Sequence, residues 1–392
     1  MLHEFDHRVL GAKYDLFSFF EEAPGFPVWH EDGLRIKNAL IDFWRKLHGR
    51  HGYKEIQSPQ LMDKELWKKS GHCDYFEENM FFSSVDKRDY AIKPMSCPGA
   101  ILVFNQKKRS HAELPLRLCE LGHVHRNENS GSLHGLMRVR SFVQDDAHIF
   151  CSGDDLLSEI KGIIGLIHLI MHKCGLKDYH FELSLRGVGE KKYLGSDEDW
   201  EFAESKLEQA LIESGLAVLK CPGEAKFYGP SLDVHIKDVH GRSWQCSSIQ
   251  LDFNLPARFD VHYFDEKGQR KVPFMLHRAI FGSLERFVGI LLENYGKHLP
   301  LWMHPVQFKV ISVSGEAVAY GGEVLELLRK KGLRVEADLS ERPLKEKLKR
   351  SYDEMVHALV IVGKKEQERQ SVVVKYLEKN FQQEVSLAEF IA

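Results

Sequence analysis

Residues 115–150 read PLRLCELGHVHRNENSGSLHGLMRVRSFVQDDAHIF, and the alternation inside this stretch decides the fold class. Two strand-like runs flank a polar, glycine-bearing loop from Asn127 to Gly135, which predicts a long hairpin. If Arg138 to Phe150 is extended, successive side chains fall on opposite faces. Arg138, Arg140, Phe142, Gln144, Asp146 and His148 then share one face, while Val139, Val143, Ala147 and Ile149 line much of the other. A solvated strand face would more often carry Lys, Glu and Thr. Two cations, an amide, a carboxylate and an imidazole in register predict a sheet floor presented to a polar ligand. Arg126, Asn127 and Glu128 add a charged cluster beside the loop.

Outward from this hairpin, helices and strands can be placed by periodicity. Leu34, Ile36, Leu40, Phe43, Trp44 and Leu47 recur at helical spacing, with Asp32 or Gly33 near the start and an end near Gly49 or Gly52. GYKEIQSP then reads as an extended run stopped by Pro59. His72 follows Ser70-Gly71 outside any regular pattern, where a lone histidine is ordinarily solvated. Cys97, between Met95 and Pro98, reads on its own as a small buried hydrophobe. Leu156 to Ile170 makes a strong helix capped by Ser152 or Asp154, and Ser196 three before Asp199 opens another. In RSWQCSSIQLDFNLP, Ser248, Gln250 and Asp252 share one face, and Gln245 joins them only if a bulge intervenes. VPFMLHRAIFGSLERFVGILLENYG predicts a strand ending near His277, a Gly-Ser break, and a helix with Arg286 in its opening turns. Pro300 and Pro305 mark a boundary, beyond which FKVISV, LRVEADL, ALVIVG and SVVVKYL alternate with helices at 321–332, 342–355 and the end of the chain, predicting a small α/β unit.

The totals suit a soluble enzyme. The 392 residues are enough for two domains, and 43% apolar with 28% charged residues is ordinary for a globular protein. A net charge of −3 gives no overall attraction to nucleic acid, so any such contact has to come from local patches. Seven scattered cysteines without a C-x-x-C pair predict reduced thiols and a cytoplasmic location. The charged opening MLHEFDHRVL has no apolar signal region, and GIIGLIHLIMHKCGL is too short and too interrupted to span a bilayer, so no membrane association is expected. There is no Walker G-x-x-x-x-G-K-[ST].

Arg126 with Glu128, the loop SGSLHGLMRVR and the continuation QDDAHIF resemble motif 2 of the class II aminoacyl-tRNA synthetases in its threonyl form. The resemblance extends from DHRVLGAKYDLF onward. It implies a fold of the α/β (α+β) class: an antiparallel class II sheet flanked by helices, then a small α/β domain of the anticodon-binding type. The implied domains are a catalytic core at 1–299 and an anticodon-binding-like domain at 300–392. Motif 1 falls near 34–59 and would form a homodimer interface, motif 2 at 115–150 and motif 3 at 272–293.

The function implied is ATP-dependent activation of threonine and its transfer to tRNA-Thr. On the same resemblance, Arg126 would hold the α-phosphate and the carboxylate, Arg286 the γ-phosphate side, Glu128 the adenine amino group and Arg138 the triphosphate, with Gln245 also at the ATP and Mg²⁺ on the phosphates. Gln144, Tyr228, Ser248 and Gln250 would hold the aminoacyl group, and His72 matches a histidine implicated in transfer. Cys97, His148 and His277 have no local ligand spacing, yet each matches a zinc position of the family. Three protein ligands leave metal coordination open for a substrate. Threonine would bind through its amino and hydroxyl groups, with Asp146 accepting the hydroxyl proton. A site built for a hydroxyl rejects valine far better than a pocket measuring shape. Serine remains the difficult competitor.

Three departures bear on that expectation. The N-terminal editing domain of the family has no counterpart in the sequence, so editing in trans or tolerated mischarging is implied. The family's Tyr-Gly-Pro-Lys is Tyr228-Gly229-Pro230-Ser231, and the Gly-Thr after Trp-Gln-Cys is Ser247-Ser248, where a side chain at 247 is expected to alter the pocket. KYLEKNFQQEV carries fewer arginines than the family's corresponding segment. The alternatives are a paralogue that adenylates threonine or a related amino acid for a carrier protein or small molecule, and a non-catalytic paralogue that binds RNA or regulates a partner.

Overall fold

A computed structural model describes residues 4–187, 189, 193–238, 241–379 and 381–391. Residues 1–3 of the polar N-terminal stretch and Asn380 of the C-terminal segment lie outside them. The chain divides into two compact units, one of residues 19–27 and 45–290, the other of residues 1–18, 28–44 and 291–392.

The first unit is built on an eight-stranded sheet. Its strands in chain order are β1 (Lys54–Glu55), β2 (Leu116–His125), β3 (Ser141–Cys151), β4 (Tyr179–Leu185), β5 (Leu219–Pro222), β6 (Ser231–Lys237), β7 (Ser243–Asp252) and β8 (Phe274–Ser283). Their spatial order is β5-β4-β6-β7-β8-β3-β2-β1, antiparallel except for the outermost pair at each edge. The hairpin read from the sequence is its longest pairing, running in register from Leu116 opposite Phe150 to His125 opposite Ser141. The second strand starts at Ser141, so Arg138 and Arg140 belong to the connection and not to the alternating face. Glu128 O, Pro24 O and Ser130 Oγ accept from the Arg140 guanidinium, which ties the connection down.

Alternation sorts the rest of the sheet. Ile149, Leu232, Val234, Ile249, Leu251 and Leu276 are completely buried on one face, where each contributes about 1.5–3 kcal/mol of apolar burial. Helices Leu156–Lys173 and Asp197–Glu213 pack against the central strands. The first begins after Asp155, to which Ser152 Oγ donates, rather than after Ser152 or Asp154. The second has the Ser196–Asp199 capping box expected of it. The Gln245 bulge is present: Val234 pairs with Ser247 and His235 with Gln245, leaving Cys246 as the extra residue.

Strand β8 does not stop near His277 but runs on through Gly282 and Ser283. Its pairing with β3 shifts between Ala279 and Ser283. The buried Asp145 carboxylate accepts from the backbone N–H groups of Ile280 and Gly282 at 3.0–3.1 Å, supplying hydrogen-bond partners where the ladder loses them. The helix Leu284–Tyr295 follows directly.

In the other unit, a five-stranded sheet has the order Val335–Asp338, Val306–Ser312, Val356–Val362, Ser371–Tyr376, Phe381–Ser386, the first three strands parallel and the last two antiparallel. The last strand, FQQEVS, has only one strongly apolar position outside its first residue, and periodicity missed it. Phe308, Val310, Tyr320, Val324 and Val360 form its core with the helix Val318–Lys330. The helix Glu31–Arg50 buries Ile36, Leu40, Trp44 and Leu47 as expected, but Leu34 is exposed. No helix among the described residues is long and apolar enough to cross a membrane.

A buried ion pair anchors the segment leading to Cys97. Lys93 Nζ donates to Glu120 at 2.6 Å and to Ser58 Oγ at 2.8 Å, both charged side chains being almost wholly enclosed. Removing one partner leaves an uncompensated charge. Glu120→Ala is therefore expected to destabilise this unit by about 3–5 kcal/mol in urea unfolding, and Lys93→Met combined with Glu120→Leu to recover most of that loss. Equal loss in the single and double variants would rule out charge burial as the cause.

Candidate active site

On the polar face of the eight-stranded sheet lies a cavity of about 740 Å³, within the range of small-molecule sites. Among the residues given ATP, aminoacyl, transfer or zinc roles from the sequence, all but His72 and His148 line it. They arrive from separated segments: Cys97 from the start of the helix Cys97–Asn105, Arg126, Glu128 and Arg138 from the hairpin connection, Gln144 and Asp146 from β3, Tyr228 from the loop before β6, Gln245, Ser248 and Gln250 from β7, and His277 and Arg286 from β8 and the helix after it.

The two arginines are held by backbone and rings rather than by carboxylates. Arg126 lies between the Phe142 and Phe76 rings, 5.2 and 5.7 Å from their centroids, and donates to Pro94 O. Arg286 donates to Met137 O at 2.9 Å and to Gln245 O at 2.7 Å, with its guanidinium 5.8 Å from the Trp244 ring. Neither charge is spent on a local carboxylate, so both remain available to an anion. Arg138 faces Glu128 at 3.5 Å.

Cys97, His148 and His277 form a buried cluster whose donor atoms lie within 4.8 Å of one another. His148 Nε2 and His277 Nδ1 are buried without a hydrogen-bond partner, the condition expected of nitrogens reserved for a metal. The other nitrogen of His277, Nε2, lies 2.9 Å from Asp252 Oδ2, the carboxylate–histidine arrangement that fixes a ligand's tautomer. Burial pushes His148 far below its usual range, so it is a neutral imidazole. Burial alone would lower His277 as well, but the Cys97 sulfur and Asp252 outweigh it and raise His277 to about 10. Burial pushes the Cys97 thiol up. Soft sulfur with two imidazoles suits Zn²⁺ or a similar transition ion.

Next to this cluster, burial pushes Asp146 up to about 7. Burial also raises Tyr228 well above its usual range, and its hydroxyl donates to Gln250 Oε1. The Tyr75 and Phe227 rings stack 4.3 Å apart at the cavity wall.

His72 is not a solvated loop residue. It begins a short helix, is 1% exposed, and lies behind Met95, whose sulfur is 3.1 Å from its Nε2, while its Nδ1 meets Ser70 Oγ at 2.7 Å. Burial lowers it to about 3, so it carries no charge. Ser247 also differs from expectation: it is fully buried, donates to Ile280 O and does not line the cavity. Asp252 and Asp233 are the residues whose part the sequence did not reveal. Asp252 shares a strand face with Ser248 and Gln250, which was the available signal. Asp233 alternates in the same way with Leu232 and Val234, sharing a face with Ser231.

A profile described as the tRNA synthetase class II core domain (G, H, P, S and T) matches residues 80–295, and an anticodon binding domain profile matches residues 307–392. The RNA binding domain of threonyl-tRNA synthetase from Cryptosporidium parvum superposes with a TM-score of 0.94 at 36% identity, covering 98% of this chain and 96% of that one. The chain belongs to the threonyl-tRNA synthetase family. The threonine–tRNA ligases of Carboxydothermus hydrogenoformans and Clostridium novyi are 48% and 44% identical over 94% and 99% of the chain. The chain spans 58% and 60% of the length of these two relatives. A Giardia lamblia prolyl-tRNA synthetase shares the fold, with a TM-score of 0.76 at 18% identity over 99% of this chain and 76% of that one. The class II reading of the fold, drawn from the hairpin, therefore holds.

One backbone position is decisive for the arginine end of the cavity. Gly282 has φ +75°, and a Cβ there would stand 2.3 Å from Cys246 O. Gly282→Ala is expected to cost roughly 1–3 kcal/mol of stability through strain, read as a lowered thermal midpoint. An unchanged midpoint would show that this strand crossing is looser than the structure has it.

Proposed function

We propose that the chain activates threonine with ATP and transfers it to tRNA-Thr, with residues 1–299 as the catalytic core and 300–392 as an anticodon-binding-like domain. The observation that carries this reading is the convergence on one cavity of two arginines free of carboxylate partners with Cys97 and His277, two members of a Cys–His–His cluster that has two unpartnered nitrogens. The family membership and the threonine–tRNA ligase relatives support it.

In the first half-reaction the threonine carboxylate attacks the α-phosphorus of ATP, and pyrophosphate leaves. Arg126 offsets the charge that builds on the α-phosphoryl oxygens and orients the carboxylate, and Arg286 and Arg138 hold the rest of the triphosphate, with Mg²⁺ on its oxygens. Glu128 accepts from the adenine amino group, and Gln245 adds a contact to the nucleotide. These groups act by position and charge, with no covalent step at the protein. Gln144, Tyr228, Ser248 and Gln250 hold the aminoacyl group. In the second half-reaction a terminal ribose hydroxyl attacks the aminoacyl carbonyl and AMP leaves.

Cys97, His148 and His277 would hold one zinc ion per subunit, which supplies Lewis acidity toward the amino and hydroxyl groups of threonine. Asp146 accepts the hydroxyl proton, so valine is rejected for want of a donor and serine is not. Serine therefore calls either for an editing step or for tolerated mischarging. His72, enclosed behind Met95, would act in transfer only by supporting the cavity wall. A homodimer and a cytoplasmic location complete the proposal.

The test is ATP–pyrophosphate exchange by zinc-loaded protein with threonine, serine and valine, followed by charging of tRNA-Thr. Exchange with threonine and serine but not valine, and charging with threonine, is the expected result. Exchange without charging would point to a different acceptor, and no exchange with any amino acid would leave a binding paralogue. Arg126→Ala is expected to lower exchange by about 10²–10³. Asp252→Asn is expected to weaken zinc retention about 10–100-fold, measured by competition with a chelator. Retention should also fall with pH, because the Cys97 thiol, pushed up by burial, must lose its proton to bind.

A further inference from the structure

Behind the amino-acid side of the cavity, Asp233 collects four hydrogen bonds. Its Oδ1 accepts from Gln245 Nε2 at 2.6 Å and Ser248 Oγ at 2.7 Å, and its Oδ2 from Ser184 Oγ at 2.7 Å and Ser231 Oγ at 2.9 Å. Asp233 is 4% exposed and does not itself line the cavity. All four partners are uncharged, and together they fill the acceptor places of a carboxylate, which has nothing to donate.

This acceptor-only terminus gives direction to the chain of groups attached to it. Ser248 spends its hydroxyl proton on Asp233, so it can only accept from Gln250, whose Nε2 lies 3.0 Å away. With its nitrogen so engaged, Gln250 turns its oxygen to Tyr228, which donates its phenolic proton. Tyr228 then has only lone pairs left for a ligand. The Gln245 amide nitrogen is drawn inward to Asp233, which turns its carbonyl end outward. Reversing any link would set two donors or two acceptors against each other in a half-buried wall, where an unmade hydrogen bond is costly.

We propose that Asp233 is a positioning residue that sets the hydrogen-bond polarity of this wall, so that Tyr228 and Gln245 meet the ligand as acceptors and select groups bearing N–H or O–H, such as an ammonium or a sugar hydroxyl. The identity of that group rests on the threonine–tRNA ligase reading; the polarity does not. Ser231 has a defined part in this arrangement. It stands where the family resemblance has a lysine, and its hydroxyl completes the carboxylate's set of donors without bringing a cation to the wall.

The test compares Asp233→Ala with Asp233→Asn in the full chain. Asparagine keeps an oxygen for Gln245 and Ser248, and the Ser184 and Ser231 hydroxyls can rotate to accept from its amide. Alanine keeps none of these bonds. In protein labelled with ¹⁵N-glutamine, the side-chain amides of Gln245 and Gln250, assigned through Gln245→Leu and Gln250→Leu, are expected to exchange slowly with solvent in wild type and Asp233→Asn and quickly in Asp233→Ala. The threonine KM is expected to rise at least about tenfold in Asp233→Ala, as for loss of a hydrogen bond to a charged group, and to return most of the way in Asp233→Asn. Unchanged amide exchange in Asp233→Ala overturns the proposal. Equal impairment of both variants overturns it too, because charge rather than acceptor geometry would then be at work. If Asp233→Ala does not fold, Ser248→Ala decides: Gln250 should lose its slow exchange while Gln245 keeps it, and retention by both sinks the idea. Absence of threonine-dependent exchange in wild type would defeat the ligase reading while leaving the amide result to judge Asp233.

Discussion

A sheet that buries polar groups on one of its faces is stable only if each of those groups finds a partner, and this constraint shapes the larger unit. On the opposite face, Leu232, Val234, Ile249, Leu251 and Leu276 are enclosed and need nothing but close packing. On the cavity face, Asp233, Asp252 and His277 are equally enclosed, and each is tied into a hydrogen bond whose loss would leave a desolvated polar atom. The polar face is therefore rigid because it is buried. Rigidity of this kind is what a site needs if it is to hold a ligand by position and charge.

Two groups of atoms escape that constraint. The guanidinium groups of Arg126 and Arg286 bond to carbonyls and lie near aromatic rings without a carboxylate to neutralise them. His148 Nε2 and His277 Nδ1 have no partner. Gathered in one cluster of metal-competent side chains, these unpartnered nitrogens point to what the site is for. One set asks for an anion and the other for a metal, and Arg126, Arg286 and His277 line the same cavity. The buried Lys93–Glu120 pair lies just before Cys97 in the chain and is fully satisfied, which marks it as scaffold by the same argument.

The strand crossing near Gly282 shows how backbone irregularity serves the same end. Strand β8 loses its ladder with β3 between Ala279 and Ser283, and β7 carries an extra residue at Cys246. Both irregularities meet where Gly282 approaches Cys246 O. The extra residue in β7 brings Gln245 onto the face of Ser248 and Gln250, and Arg286 donates to Gln245 O beside it. A regular sheet would have turned Gln245 away.

The sequence by itself determined the hairpin and the polar lining positions of β3 and β7, because period-2 alternation is a local property, while the class II fold and the lining residues Cys97, Tyr228, His277 and Arg286 came from the family resemblance. It also determined the capped helix at Ser196 and anticipated the Gln245 bulge. Tertiary structure decided the rest. Arg138 and Arg140 left the strand because the connection takes its own hydrogen bonds, Leu34 stayed exposed on an otherwise apolar stripe, and His72 went inside because Trp67, Ser70 and Met95 enclose it. Three zinc-competent residues far apart in the chain became a cluster only when β3, β8 and the start of the helix at Cys97 were brought together. The role of Asp233 was invisible for the same reason: it lies in four donors, three of them on other strands or at a distance along the chain, and no local pattern records a partnership made across a sheet.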